Sequence, residues 1–581
     1  MSVSSVQSSQ SARAGFVLLL GLILLLMAGK AVLVDNLDPD FFWHLRVAEQ
    51  LHRDGVRPLV DSISYSSIRE PWTPYSWLAE LAMKAVWDAG GLPGVLVTQA
   101  GLLMSYLGLI ALTARELVSS HPPLRGRVVW GGESHNVSES NSDSPPPLTP
   151  PSRGAESDTR FLATIVATFF AAFAAYPYLS FRPLMFALVL LACVAWLIAR
   201  DRHMVQRSRT IWLVPVLTAV LINVHLYAIF VPVWLGAIAL GDLIEHRRLP
   251  WRSLALTALA GFACCATPLL PGVLAQVLSY QSSDVMVREG RIAEMQPIWT
   301  GVTGCIVLAG CAATLLALTK RTIWFPLPVR REKVRVRAEP SKSADAQIAH
   351  PPALTLPSPG LPGEGEMRGT NSATGRLWLI AWCLISLLFM LRLGRFAPVG
   401  VIVFAPVMAC VLPRLRDAVL AGPTVRFALS LVLVLGLVRV LVSIPSTKSL
   451  DAWLTRFGAD VPGYPVQAAK FVDERVTSTS GRLINEFTWG GYLGWRLGDR
   501  YQVLLDGRTQ LFSESFWRAT YLRSEADSAS VLSDAHADAA IVPVKKSRFR
   551  STLQSLGWTV AHEDDVAVVM LPPTMPQANA K

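Results

Sequence analysis

The sequence predicts a polytopic α-helical membrane protein with a small C-terminal α/β domain. Three observations predict it. Of the 581 residues, 52% are hydrophobic and only 16% are charged, and the mean hydropathy is +0.39; an ordinary soluble chain carries about a quarter of charged residues. The apolar residues gather in runs of roughly 17–22, the length that crosses about 30 Å of hydrocarbon. After the last run the pattern changes to short β-type stretches alternating with helical ones. In such a chain the net charge of +11 reports orientation first, so it is not read as a nucleic-acid footprint. All seven cysteines lie inside apolar runs, a placement that suggests no disulfide framework or zinc-type cluster.

The first run is Gly15–Val34. A cleaved signal peptide is the competing reading, with Ala28 and Ala31 as small residues, but the run exceeds the usual h-region of about 7–15 residues and favours an uncleaved anchor. Residues 35–91 form a first loop with two helical patches. Phe41–Arg53 and Trp77–Asp88 both read as helices lying in the membrane interface, the first through Phe41, Phe42 and Trp43. Later runs are Leu92–Ala114, Phe161–Leu179, Pro183–Ala199, Ile211–Val224, Leu226–Ile244, Ser253–Leu274, Trp299–Thr319, Leu377–Leu393, Ala397–Leu412 and Phe427–Ile444. That makes about eleven spans.

Basic residues fix the expected orientation. Alternate loops hold Arg200/Arg202/Arg207/Arg209, then Arg247/Arg248/Arg252, then Lys320/Arg321 with 330–337, then Arg414/Arg416/Arg426. The positive-inside rule places these in the cytoplasm, with the N-terminus. An odd number of spans then places the C-terminal domain outside. Two predicted cytoplasmic insertions, about 119–158 and 328–374, are rich in Pro, Ser and Gly and cannot bury enough apolar surface to offset chain entropy. The expected division is a transmembrane domain over 1–444 and an external domain over 445–581. In the latter, β-type runs (Arg482–Ile484, Val503–Leu505, Ala540–Val544, Trp558–Ala561, Val566–Leu571) alternate with helical patterns over 465–476, 514–523, 530–536 and 548–556. This alternation, ending in a hairpin, predicts a mostly parallel sheet.

With that topology, unusual polar residues gather at the external ends of the spans. The stretch Asp35–Arg46, DNLDPDFFWHLR, brings Asp38, Asp40 and His44 next to the first span. Arg182, Asn223, His225, Glu294, Arg392 and Arg395 fall at later external turns. Ionisable groups beside the hydrocarbon default to function, and here both signs share one face. Each also has a plain structural reading. Asp38-Pro39 fits a helix N-cap followed by Pro, the arginines fit snorkelling to headgroups, His225 fits a helix-ending histidine, and Glu294 fits a solvated loop acid.

A first span followed by Asp-Pro-Asp-Phe-Phe-Trp-His-Leu-Arg, a helix, a Gly-Val-Arg-Pro turn and Asp61-Ser-Ile-Ser-Tyr resembles the first external loop of GT-C membrane glycosyltransferases. The resemblance is to RgtA/B/C/D-like and protein-mannosyltransferase-like bacterial proteins, and to oligosaccharyltransferase catalytic subunits. Thr488-Trp489-Gly490-Gly491-Tyr492 and Leu505-Asp506-Gly507-Arg508-Thr509 are similar to the Trp-Trp-Asp-Tyr-Gly region of those subunits. The resemblance implies a hexosyl- or pentosyltransferase of the bacterial cytoplasmic membrane, drawing on a polyprenyl-phosphate-linked sugar donor. It implies Asp38 as base or metal ligand, with Asp40 as second acid. Arg182, Arg392 or Arg395 would meet the lipid phosphate, and Trp489, Tyr492 and Asp506–Arg508 would shape the acceptor side. A divalent metal, Mg or Mn, would be held through Asp38. The chain departs from the family in three places. Pro39 stands where mannosyltransferase-type members carry Glu, Tyr176–Arg182 lacks an Asp-x-Asp pair, and Gly490 or Gly491 replaces an acid. The missing Asp-x-Asp pair keeps open a non-catalytic scaffold of the same shape; a lipid or sugar transporter is the other alternative, and it predicts discontinuous spans and polar residues near the midplane, whereas the polar groups here sit at span ends.

Overall fold

The computed structural model describes residues 3–34, 37–119, 161–203, 208–279, 284–319, 377–412, 420, 422–444, 450–455, 463–522 and 528–573. The two insertions, apart from Ser119, and Asp35 of the first loop lie outside them. Among the described residues, eight helices are long and apolar enough to cross a membrane, and two more (209–224 and 377–392) are shorter. The chain is a multi-pass membrane protein.

Helix α1 (Val3–Gly29) runs into a π-helical turn, Lys30–Val34. After α2 (Phe41–Asp54), α3 (Trp77–Ser119) is bent at Gly91, whose φ of 53° only glycine adopts readily, two residues before Pro93. Two helices meet at this kink, so the patch over 77–88 is a helix distinct from the apolar one that follows it. Helices α4 (Phe161–Ala175), α5 (Pro183–His203), α6 (Leu213–Val224) and α7 (Phe230–His246) follow. The run Ser253–Leu274 is not one continuous helix: it divides into α8 (Trp251–Ala263) and α9 (Leu270–Ser279), broken at 264–269. Then come a short α10 (Val285–Arg288), α11 (Val302–Thr319), α12 (Leu377–Arg392), α13 (Ala397–Val411) and α14 (Pro423–Val442). The centre of the bundle is sealed by aromatic packing such as Trp234 on Trp382, and Tyr106 donates to the carbonyl of Pro398 at 2.6 Å. Helix α14 lies at the margin. Its Leu431, Val434, Leu435 and Val438 are exposed, which suits hydrocarbon and not water.

The C-terminal domain holds a five-stranded sheet of order β2-β1-β3-β5-β4, built from β1 (Arg482–Asn485), β2 (Gln502–Val503), β3 (Ala539–Pro543), β4 (Thr559–Glu563) and β5 (Ala567–Leu571). The pairs β1–β2 and β1–β3 are parallel, while β3–β5 and β4–β5 are antiparallel. The sheet is mixed, because the chain ends in a hairpin. Successive residues face opposite sides. Leu483, Ile541 and Val569 join one apolar cluster, and Ile484, Val542 and Val568 join another.

The first cluster positions the site, because it also contains Phe41, Phe42 and Leu45 of α2. Phe42 stacks edge-on against Tyr464 and Tyr492, with centroids 5.2 Å away in each case. Helix α2 is amphipathic, as its sequence indicates, but its aromatic face is buried in protein and not laid on the headgroups. The first loop is also stitched to the sheet edge. Tyr65 N donates to Val503 O and Val503 N to Ile63 O, each at 3.0 Å. That pairing covers an edge strand that would otherwise be open.

Candidate functional site

The turn before α2 puts two carboxylates at one point. Asp38 is not the N-cap of α2; Asp40 holds that place. An oxygen of Asp38 (Oδ1) accepts the backbone N–H of Asp40 at 2.9 Å. Asp40 makes no side-chain cap bond. Its Oδ1 instead accepts the Trp43 indole N–H at 2.9 Å. Each acid thus keeps its Oδ2 turned to other partners, and Arg182 supplies them. Its Nε lies 4.0 Å from Asp38 Oδ2 and its Nη1 lies 4.0 Å from Asp40 Oδ2. The same guanidinium grips Glu294, with Nη2 2.6 Å from Oε2 and Nη1 3.5 Å from Oε1. Arg395 approaches Glu294 Oε1 at 3.9 Å. Five charges from four separate segments meet here.

Burial and charge set their protonation. Burial pushes Asp40 up to about 6, and the Asp38 carboxylate adds to this against Arg182, His44 and the Trp43 bond. Its side chain is nonetheless 31% exposed, because it is recessed among protein atoms yet opens to a cavity. Burial also raises Glu294, but Arg182 and Arg395 outweigh it and hold this carboxyl at about 2. For Arg182, burial works against the charge and the three carboxylates overcome it. Burial, then Arg395 and Arg182, hold His225 well below its ordinary value. Its Nδ1 accepts the Tyr227 N–H at 3.2 Å, so the neutral ring carries its proton on Nε2.

These groups line a cavity of about 950 Å³ between the helices and the C-terminal domain. Asp38, Asp40, His44, Arg182, His225, Glu294 and Arg395 are all on its wall. His44 is held through Nδ1 by the buried Glu80 at 3.1 Å, and Ser76 donates to the same Glu80 oxygen at 3.0 Å. Asn223, Arg392, Trp489 and Tyr492 lie outside the wall. Asn223 ties helices together, accepting from Trp77 Nε1 at 2.9 Å and donating to Ala266 O at 2.8 Å. Arg392 is exposed at the end of α12. Trp489 is buried and donates to Gly463 O, and Tyr492 belongs to the aromatic cluster under α2.

The wall also holds residues that the sequence reading passed over. Lys30, in the π-helical turn, donates to Leu179 O at 3.2 Å and sits over the Tyr176 ring; a lone lysine inside the first apolar run was the available signal. From the C-terminal domain come Tyr521 and Arg548, together with Gly507, Arg508 and Thr509 of the motif already singled out in the sequence, and from the loop before α10 comes Asp284. Arg508 is fully buried. It donates to Asp506 Oδ1 through Nε at 3.0 Å and to Asp61 Oδ1 through Nη2 at 2.7 Å.

The donor set does not suit a divalent ion. Hard cations want several oxygen ligands, and among the described residues no three His, Cys, Asp or Glu side chains are grouped to hold a metal. Glu294, the third carboxylate, is taken by Arg182. The guanidinium stands where a cation between Asp38 and Asp40 would stand.

No protein family matches the chain in sequence, and no curated protein does. Among solved structures, ArnT from Cupriavidus metallidurans bound to undecaprenyl phosphate is 12% identical, with 98% of this chain and 99% of that chain covered and a TM-score of 0.49. The archaeal oligosaccharyltransferase AglB from Archaeoglobus fulgidus, in complex with an inhibitory peptide and a dolichol-phosphate, is 10% identical, with 90% and 69% covered and a TM-score of 0.46.

Proposed function

We propose that this chain is a membrane glycosyltransferase that takes a sugar from a polyprenyl-phosphate-linked donor and transfers it to a hydroxyl of an external glycan, lipid or protein. The observation that supports this most is the single cavity in which Asp38 and Asp40 face Arg182 and Arg395. Transfer needs a group that accepts the hydroxyl proton and cations that stabilise the departing phosphate, side by side. In this reading Asp38 Oδ2 accepts the proton while the hydroxyl oxygen bonds to the anomeric carbon. The carbon–oxygen bond to the phosphate breaks, and its electron pair leaves on the phosphate oxygen. Asp40 is the second acid, and its proton affinity near neutrality suits a proton-accepting role. Arg395 and Lys30 meet the phosphate, since guanidinium forks match its oxygens, and His225 offers a neutral N–H. Direct displacement at the anomeric carbon inverts it. No step is routed through a metal, because the acids are already partnered by Arg182.

The N-terminus is cytoplasmic in this proposal, and the cavity and the domain after 444 face outward. In this proposal the chain sits in the bacterial cytoplasmic membrane. Comparative glycolipid and glycoprotein mass spectrometry of a deletion strain tests the reading. Loss of one hexose or pentose increment is expected; an unchanged envelope glycan profile would refute it.

A further inference from the structure

The C-terminal motif Leu505-Asp506-Gly507-Arg508-Thr509 has a part in the site that acceptor binding does not explain. A Cβ on Gly507 would stand 2.1 Å from Asp40 Oδ1, 3.3 Å from its Cγ and 3.0 Å from Trp43 Nε1. The backbone of the external domain therefore lies directly against the second acid and the indole that holds it. Nothing about Gly507's own conformation demands glycine, since its φ lies outside the left-handed range. Only the neighbouring carboxylate does.

The turn cannot retreat. On one side Arg508 is held by Asp506 and by Asp61 of the first loop at 2.7 Å, and Ser64 donates to Asp506 Oδ2 at 2.7 Å. On the other, Thr509 hydrogen-bonds through its hydroxyl to Asp284 Oδ2. The side chains of Arg508, Asp61 and Asp506 are at most 2% exposed. Breaking a buried, paired charge is strongly destabilising, so the turn is a fixed wall and the Asp40 side chain is the softer partner.

We propose that Gly507 is a positioning residue: the clamped external turn leaves one side-chain-free volume, and that volume seats the Asp40 carboxylate on the Trp43 indole. The inference rests on the transferase reading for its effect on turnover, but not for the contact itself. The external domain then completes the reacting end of the cavity, besides covering it. Gly490 provides the contrast, because a Cβ there would meet the backbone oxygen of Leu505 at 1.9 Å. Substitution there breaks the fold, whereas at 507 it displaces a carboxylate.

The test compares wild type, Gly507→Ala, Asp40→Ala and the double variant as full-length protein in nanodiscs. Gly507→Ala should lower the melting temperature in the wild-type background and leave it unchanged in the Asp40→Ala background. Should Gly507→Ala accumulate poorly in membranes, the double variant should return to the Asp40→Ala level. Additive losses, or no return, overturn the proposal. With a synthetic polyprenyl-phosphate hexose as probe, Gly507→Ala should lower kcat about a hundredfold, the usual scale for a 1 Å misplacement. KM should stay within about twofold, as expected when ground-state binding is intact. An unchanged kcat also overturns it. If wild type does not turn over this donor, the transferase reading fails for that donor class, and the melting cycle still decides whether Gly507 seats Asp40.

Discussion

Replacing Arg182 by Met removes the charge at nearly constant length and tests the electrostatic core of the site. In the native cluster the guanidinium contacts Glu294 at 2.6 Å and stands 4.0 Å from both Asp38 and Asp40. A unit pair near 4 Å at an effective dielectric of about 20 has a gross attraction of about 4 kcal/mol. Desolvation offsets most of that, and removing one partner of a buried pair costs about 3–5 kcal/mol net. Glu294 keeps 25% of its side-chain exposure and the cluster opens to a cavity, so solvent screening lowers the figure to about 2–3 kcal/mol. Three carboxylates would remain without their central counter-ion. The Glu294→Gln/Arg182→Met double variant should recover part of the loss. Thermal denaturation of purified wild type and variants in detergent, followed by fluorescence size-exclusion, measures this. A melting temperature of Arg182→Met equal to wild type would refute the cluster as the organising feature of the cavity.

Other outcomes follow from the same geometry. The folded-state pKa of Glu294 is held down at about 2, so its stabilising contribution is present above the ordinary value of 4.5 and is lost as pH falls towards 2. The stability difference between wild type and Glu294→Gln should therefore shrink between about pH 5 and pH 2, as chemical denaturation at stepped pH would read; a constant difference would contradict it. Because Arg182 occupies the cation position between the two acids, transfer should survive EDTA unchanged, and its abolition with rescue by Mg or Mn would show a ligand set this geometry does not contain. Gly490→Ala should reduce membrane accumulation outright, since it presses on the Leu505 carbonyl; normal levels on an immunoblot would contradict the packing. A reporter active only outside the cytoplasm should work when fused after 573 and fail when placed within 328–374, and the reverse would invert the proposed orientation.

Much of the bundle was legible because hydrophobic runs of spanning length leave few alternatives. Where the reading missed, tertiary contacts decided. The apolar stretch Ser253–Leu274 looked continuous, yet the chain turns at 264–269, where Thr267-Pro268 interrupts it. The aromatic face of α2 could have met lipid or protein, and only the fold supplied Tyr464 and Tyr492 as partners. Of the polar residues near the membrane that the sequence singles out, seven share one wall. Asn223 and Arg392 shared the same sequence signature but point to helix packing and the exterior. Gly490, Gly491 and Gly507 are the instructive case. Read linearly, the first two looked like missing acids, whereas Gly491 faces the Pro39 carbonyl at 2.7 Å from where a Cβ would stand. A close approach between residues more than four hundred positions apart leaves only a glycine as its trace.

The most direct test of the central claim uses the deletion strain complemented with wild type, Asp38→Asn and Asp38→Ala at matched membrane levels. Mass spectrometry of the envelope glycolipids and glycoproteins reads the sugar increment. Wild type should restore it, and both variants should leave it missing, because neither Asn nor Ala accepts the hydroxyl proton at Oδ2. Full restoration by both variants would contradict the role given to Asp38.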